Sequence, residues 1–338
     1  MNKFSEFVAL CFVLAITSSV AHASIKKADP YLRPVLVPYP ADNAPTADRV
    51  ELGKMLFFDP RLSGSEWISC ATCHNPALSW SDGLPTMIGN AMTQGHRSTP
   101  TILNTAYNQT QYWDGRAKTL EEQALGPIQA PGEMNQDLAG LATRLGKIEG
   151  YRLMFDKAYP NEGITDKTIA KAIASFERTV VSTEAPFDRW RKGDKNAISV
   201  AAQRGFKLFE GKADCTACHQ GFNFADDGFH NIGLPHQEHD VEDMGRFAHR
   251  KVKVNKGAFK TPTLRDVEMT APYMHNGAYL TLDEVVEHYN KGGVNLENLD
   301  PNMKPLNLNN QEKSDIVAFM KSLTGKAMVI TVPRLPAR

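Results

Sequence analysis

Four of the five cysteines in this 338-residue chain sit in two copies of one short pattern. The copies are Cys70-Ala71-Thr72-Cys73-His74 and Cys215-Thr216-Ala217-Cys218-His219. Four cysteines in an exported protein often mean two disulfides. A histidine directly after a C-x-x-C pair points instead to covalent haem attachment. The two thiols add to the haem vinyl groups, and the next residue brings an imidazole to the iron as its proximal ligand. Two complete motifs therefore predict two haem c groups, with His74 and His219 on the irons. Each haem needs an apolar pocket of its own, which asks for two structural units.

The fifth cysteine, Cys11, belongs to a different kind of segment. Lys3 is followed by the apolar run Phe7 to Ile16 and then by small and polar residues ending Ala21-His22-Ala23-Ser24. That order is the grammar of a secretory leader with an A-x-A cleavage site after Ala23. The apolar run is shorter than the roughly 20 residues that span a bilayer. The expected location is the periplasm, with no membrane span after cleavage. About 315 residues would remain, too many for one compact core and suited to two domains. Lys+Arg and Asp+Glu balance at 38 each, so nothing suggests a nucleic-acid or anionic-membrane partner.

The chain also repeats itself. Ser98-Thr99-Pro100-Thr101, Trp113-Asp114-Gly115 and Thr119-Leu120-Glu121-Glu122 align without a gap on Lys260-Thr261-Pro262-Thr263, His275-Asn276-Gly277 and Thr281-Leu282-Asp283-Glu284, at a constant spacing of 162 positions. Upstream of each haem motif, Leu52 to Phe57 resembles Arg204 to Phe209. Apolar residues recur at helical spacing through Leu138, Leu141, Leu145, Ile148 and Tyr151. They do so again through Ile169, Ile173, Phe176 and Val180 behind a Thr165 N-cap, and near 311–323. No alternating run is long enough for a sheet. The expectation is all-α: a leader over 1–23, then two tandem cytochrome c-like haem domains with long loops, over 24–190 and 191–338.

The repeat also separates the two irons. With proximal histidines on both, the distal side decides between electron transfer and chemistry. Tyr289, in the helix after Thr281, has a phenol oxygen able to ligate iron; its counterpart 162 positions earlier is Pro127, which has no ligand atom. Met303, Met274, His275 and His288 are rival ligands. His288 and Tyr289 are helix neighbours about 100° apart, so they cannot both face one iron. His230, His236, His239 and His249 lie in a polar loop whose spacing defines no metal site.

These residues carry a family resemblance over nearly the whole mature chain. Tyr112-Trp113-Asp114-Gly115-Arg116, Leu120-Glu121-Glu122-Gln123, Gly126-Pro127-Ile128, Gly132-Glu133-Met134, Phe259 to Arg265 and Tyr273 to Gly277 resemble the bacterial di-haem cytochrome c peroxidases. The resemblance implies that the N-terminal haem takes hydrogen peroxide and the C-terminal haem relays electrons. Trp113 then matches the tryptophan between the haems, and Gln123 and Glu133 match the distal amide and acid. Electrons would come from a small periplasmic cytochrome c or cupredoxin. Two departures are similar to MauG, which oxidises tryptophans on a partner protein: Tyr289 stands where typical members have methionine, and Asn90 where many have a closing histidine. His96, six positions further on, is then either an alternate ligand or a solvent-facing loop residue. The family also implies calcium between the domains, at the carbonyls of Thr270 and Pro272, although Ser98 replaces the usual asparagine. It adds a homodimer as an option. A plain di-haem electron carrier is the non-enzymatic alternative, disfavoured by Pro127 and Glu133.

Overall fold

The computed structural model describes residues 29–235 and 242–337. The leader, His236 and His239 fall outside these residues. Among them the chain is helical, as expected: α1 (Ala47–Phe58), α2 (Cys70–Cys73), α3 (Leu120–Gln129), α4 (Leu138–Gly146), α5 (Glu149–Ala158) and α6 (Asp166–Glu177) precede α7 (Pro186–Arg191), α8 (Val200–Glu210), α9 (Leu282–Lys291) and α10 (Asn310–Lys321). The one two-stranded sheet among the described residues pairs β1 (Phe229–His230) antiparallel to β2 (Phe259–Lys260). No described helix is long and apolar enough to cross a membrane.

The internal repeat is present in the backbone. Helices α3 and α9 begin and end at positions 162 apart. Each is capped by a threonine hydroxyl that accepts a backbone N–H, Glu122 on Thr119 at 3.1 Å and Glu284 on Thr281 at 3.2 Å. The turns before them also match, with Gly115 at φ +64° and Gly277 at φ +67° inside the bridges Gln111–Ala117 and Tyr273–Tyr279. Each half crosses two helices at a glycine. A Cβ on Gly53 of α1 would lie 1.9 Å from the Ala172 carbonyl of α6, and a Cβ on Gly205 of α8 would lie 1.9 Å from the Asp315 carbonyl of α10. Only a residue without a side chain allows backbones to approach that closely.

One apolar stripe is divided between two helices. The apolar stripe from Leu138 to Tyr151 is continuous, but the helix is not. It ends at Gly146, and α5 restarts after Ile148, which is extended at φ −97°, ψ 110°. Glycine is a poor helix residue, and two short helices still turn Leu141, Leu145, Ile148 and Tyr151 into one core.

The packing crosses the division expected at 190/191. The first core gathers Leu52, Phe57, Tyr151, Phe155 and Phe176, and it is covered in part by Met328 and Ile330 from the far end of the chain. The second gathers Phe187, Phe206, Phe209, Phe224 and Phe319 around Tyr31 from the near end. The Tyr31 ring stacks on Phe224 at 5.3 Å, and its carbonyl accepts from buried Arg265 at 2.7 Å. Each half is completed by a strap from the other end.

Candidate functional site

Both C-x-x-C-H segments form a single turn that brings the histidine back over the first cysteine. The N–H groups of His74 and His219 donate to the carbonyls of Cys70 and Cys215, both at 2.8 Å. In each histidine Nδ1 meets a backbone carbonyl, Trp80 at 3.1 Å for His74 and Phe224 at 2.7 Å for His219. Burial lowers both imidazole pKa values, so each ring is neutral, with Nδ1–H anchored and Nε2 free to ligate a metal. None of the four cysteines is paired in a disulfide, so all four sulfurs remain available to the haem vinyl groups. Burial pushes the Cys73 thiol up to about 11 and the Cys215 thiol up to about 12 before any haem is attached. An anchored neutral imidazole beside two buried thiols fits a covalently held haem at each site.

In the C-terminal half the room for that group is explicit. A cavity of about 280 Å³ is lined by Cys215, Cys218, His219, Val285, Tyr289 and Met303, among others. Burial and the field of Cys215 raise the Tyr289 phenol well above its ordinary value. A bound metal ion would reverse that pressure by favouring the phenolate. Of the rivals, His288 is excluded by its own bonds: Nδ1 accepts from Tyr279 Oη at 2.9 Å and Nε2 donates to the Ile232 carbonyl at 2.8 Å. Met303, Met274 and His275 also line the cavity.

In the N-terminal half, Gln123 and Pro127 are one turn apart on α3 and so share a face. They are the counterparts of Val285 and Tyr289, which line the other cavity. Glu133 is half-buried; burial raises its pKa, and the Arg116 guanidinium holds that rise back. The charge of Glu133 also reaches Cys73 and Tyr112, which puts the acid at the N-terminal haem motif. Asn90 grips the same turn from outside, its backbone N–H donating to the Glu133 carbonyl at 2.8 Å. His96 is exposed and lines a separate cavity of about 110 Å³ with Asp243 and His275.

Trp113 comes from the first half and lines the second half's cavity. Its indole N–H donates to the Ser98 carbonyl at 3.0 Å, and its ring meets His275 edge-on at 6.4 Å. Thr270, Pro272 and Ser98 line this cavity too. The Ser98 hydroxyl donates to the Met274 carbonyl at 2.9 Å.

Several residues around the site were missed by spacing alone. His230 lies between Asp226 at 3.0 Å and Asp300 at 2.7 Å, and the Asp226 bond above all pushes it up to about 11. Both of its ring nitrogens are thus held by carboxylates beside the second haem motif. Arg97 ties the halves together, reaching Asp114 at 2.7 Å and Asp243 at 2.6 Å. Buried Glu177 leaves Oε2 without a hydrogen-bond partner; burial pushes its pKa up to about 8, against the opposing charge of Arg178. No periodicity or motif signals any of these.

Two family models match the chain, "Di-haem cytochrome c peroxidase" over residues 47–196 and "Cytochrome c" over residues 202–324. The methylamine utilization protein MauG of Methylophilus methylotrophus is 44% identical, over 98% of this chain and 99% of that protein. The cytochrome c551 peroxidase of Nitrosomonas europaea is 37% identical, over 96% of this chain and 92% of that protein. Among solved structures, a MauG-like protein associated with microbial copper homeostasis superposes with a TM-score of 0.81 at 30% identity, covering 88% of this chain and 95% of that one.

Proposed function

The chain belongs to the di-haem cytochrome c peroxidase and MauG family and is a peroxidase-type oxidoreductase with two haem c groups, and we propose that hydrogen peroxide is used at the N-terminal site while the C-terminal site relays electrons. The observation that carries this reading is the asymmetry of α3 and α9: Tyr289 faces one cavity where the equivalent residue of the other half is Pro127. His74 would hold an iron in the first half with no ligand atom offered from position 127, whereas His219 and Tyr289 would both be available to hold one in the second. The leader-like first 23 residues support a periplasmic setting.

When bound, the N-terminal haem supplies an iron that accepts peroxide and the oxidising equivalents it leaves. The chain's own groups handle the protons. Glu133 removes the proton from the near peroxide oxygen and delivers it to the departing one, a task one positioned carboxylate can perform. Its raised pKa suits a group that must hold the proton in transit. Gln123 offers an amide on the face of α3 that also carries Pro127. Trp113, which reaches from the first half into the second half's cavity, is the station through which electrons would cross. Within the family, MauG-like oxidation of a partner protein is the second reading. Tyr289, Asn90 and the 44% identity to MauG favour it over a soluble cytochrome or cupredoxin donor.

The test is Glu133→Gln. Both haems should stay attached, and electron uptake at the C-terminal site should be unchanged. The peroxide-driven change in haem absorbance, followed by stopped flow, should slow on the order of a hundredfold, about 3 kcal/mol of barrier. In the wild type that rate should fall as the pH drops through a Glu133 pKa above 4.5, because only the carboxylate can take the proton. The Gln variant should lose that limb. A wild-type rate in the variant removes Glu133 from the mechanism, and a wild type inert to peroxide in every redox state leaves an electron carrier.

A further inference from the structure

We propose that Arg116 guards Tyr112 against oxidation, so that oxidising equivalents from peroxide are drained through Trp113 rather than through its neighbour in the chain. The inference rests on peroxide being used at the N-terminal site. Tyr112 and Trp113 both line the central cavity, so distance alone does not choose between them. Their surroundings do.

The Arg116 guanidinium lies over the Tyr112 ring, 3.4 Å from its centroid, and is held there by Asp114 at 2.9 and 3.1 Å. A cation over a ring face is attracted to the neutral ring and opposes loss of an electron from it. The Tyr112 hydroxyl donates to the Gln123 carbonyl at 2.9 Å. A phenol that loses an electron must also lose its proton, and a backbone carbonyl oxygen is an acceptor of hydrogen bonds but not a base. The arrangement is built in: a Cβ on Gly126 would lie 2.0 Å from the Tyr112 hydroxyl, so only glycine lets the phenol rest against α3. Trp113 differs on both counts. An indole can give up an electron and keep its N–H, here on the Ser98 carbonyl. Its ring neighbour His275 is uncharged, since burial lowers that pKa to about 3.

In turnover, hydrogen peroxide takes two electrons and two protons to give two waters, and the electrons come one at a time from the external donor by way of Trp113. Without the guard, Tyr112 supplies them itself. The phenol gains one oxygen atom from water and releases two electrons and two protons, so the net change is tyrosine plus hydrogen peroxide to oxygenated tyrosine plus water.

The experiment uses the di-haem protein with hydrogen peroxide and no electron donor. Peptide mass spectrometry counts oxygen added at Tyr112 per peroxide consumed. Arg116→Leu should raise that yield about tenfold. Arg116→Lys, which restores a cation without the flat stack, should fall between the two, and Arg116→Leu with Tyr112→Phe should lose the excess. Haem staining checks that each variant is folded and loaded; Asp114 keeps its Arg97 partner throughout. Equal yields in wild type and Arg116→Leu, with peroxide consumed by both, would sink the guard alone. No peroxide consumption by the wild type would sink the guard together with the reading beneath it.

Discussion

The two halves of the molecule share a frame of paired helices, α1 with α6 and α8 with α10, and the capped helices α3 and α9, but carry different side chains on it. Helices α3 and α9 share length, cap and preceding turn, yet one face carries Gln123 and Pro127 where the other carries Val285 and Tyr289. Helices α6 and α10 meet glycines in the same way, Phe176 lying against Gly53 as Phe319 does against Gly205. The next residue is Glu177 in one half and Met320 in the other. At these positions the first half thus has an amide, a proline and a carboxyl, and the second has two apolar side chains and a phenol. On the reading proposed above, the duplicated scaffold separates chemistry from relay through exchanges at three helix positions, 123/285, 127/289 and 177/320.

The sharpest way to break that comparison is to remove the phenol oxygen. Tyr289→Phe keeps the ring volume in the cavity and deletes its only atom able to reach iron. In the wild type, electron paramagnetic resonance should show one high-spin and one low-spin ferric haem without prior reduction. In the variant the low-spin signal should be replaced completely, and the high-spin signal should persist. An unaltered low-spin signal would move the ligand to Met303, which lines the same cavity.

A smaller effect should follow at the third exchanged position. Glu177 is 5% exposed, and its pKa is pushed up to about 8 from 4.5. Between those values the unfolded chain has released the proton and the folded one has not, so stability falls as the pH rises and levels off above about 8. Glu177→Met, which copies the residue at 320, should remove that slope. The gain should be on the order of 5 kcal/mol at pH 9 and near zero at pH 4.5. Urea unfolding at a series of pH values tests this; parallel profiles for the two proteins would show that the carboxyl finds a partner or water.

How much of this was legible in the chain follows from the range of each interaction. The haem motifs, the threonine caps and the 162-residue repeat are local patterns, so the all-α architecture and both attachment sites could be read directly. The Pro127–Tyr289 contrast was legible only because the repeat supplies an internal reference. The placing of Glu133 at the first motif came from resemblance, since a lone glutamate in a loop carries no local signal. Arg97 and Asp243 are separated by 146 positions, and His230 and Asp300 by 70; no spacing announces such pairs. The break at Lys147 was hidden for a different reason. Two short helices sharing one core preserve the same apolar period as one long helix.

The smallest expected effect concerns the straps, and it crosses the comparison between halves. Tyr31 comes from the start of the chain and lies within the second core, 8% exposed and ringed by Phe187, Phe206 and Phe224. The tail after Gly325 runs the other way: Thr183 holds the Lys326 carbonyl at 2.7 Å, Met328 and Ile330 cover the first core, and Pro336 sits over Gly150. Met328 and Ile330 are only half-buried, and Val329 and Val332 between and beyond them are exposed. Covering two such apolar groups is worth about 1 kcal/mol each, and ordering an extended segment takes part of that back. Deleting residues 326–338 should therefore cost about 1 kcal/mol. The loss should appear in the first half, where unfolding followed at the high-spin haem shifts to lower urea and unfolding at the low-spin haem does not. A shift at the low-spin haem of equal size would mean that the halves unfold as one unit and that the tail closes both.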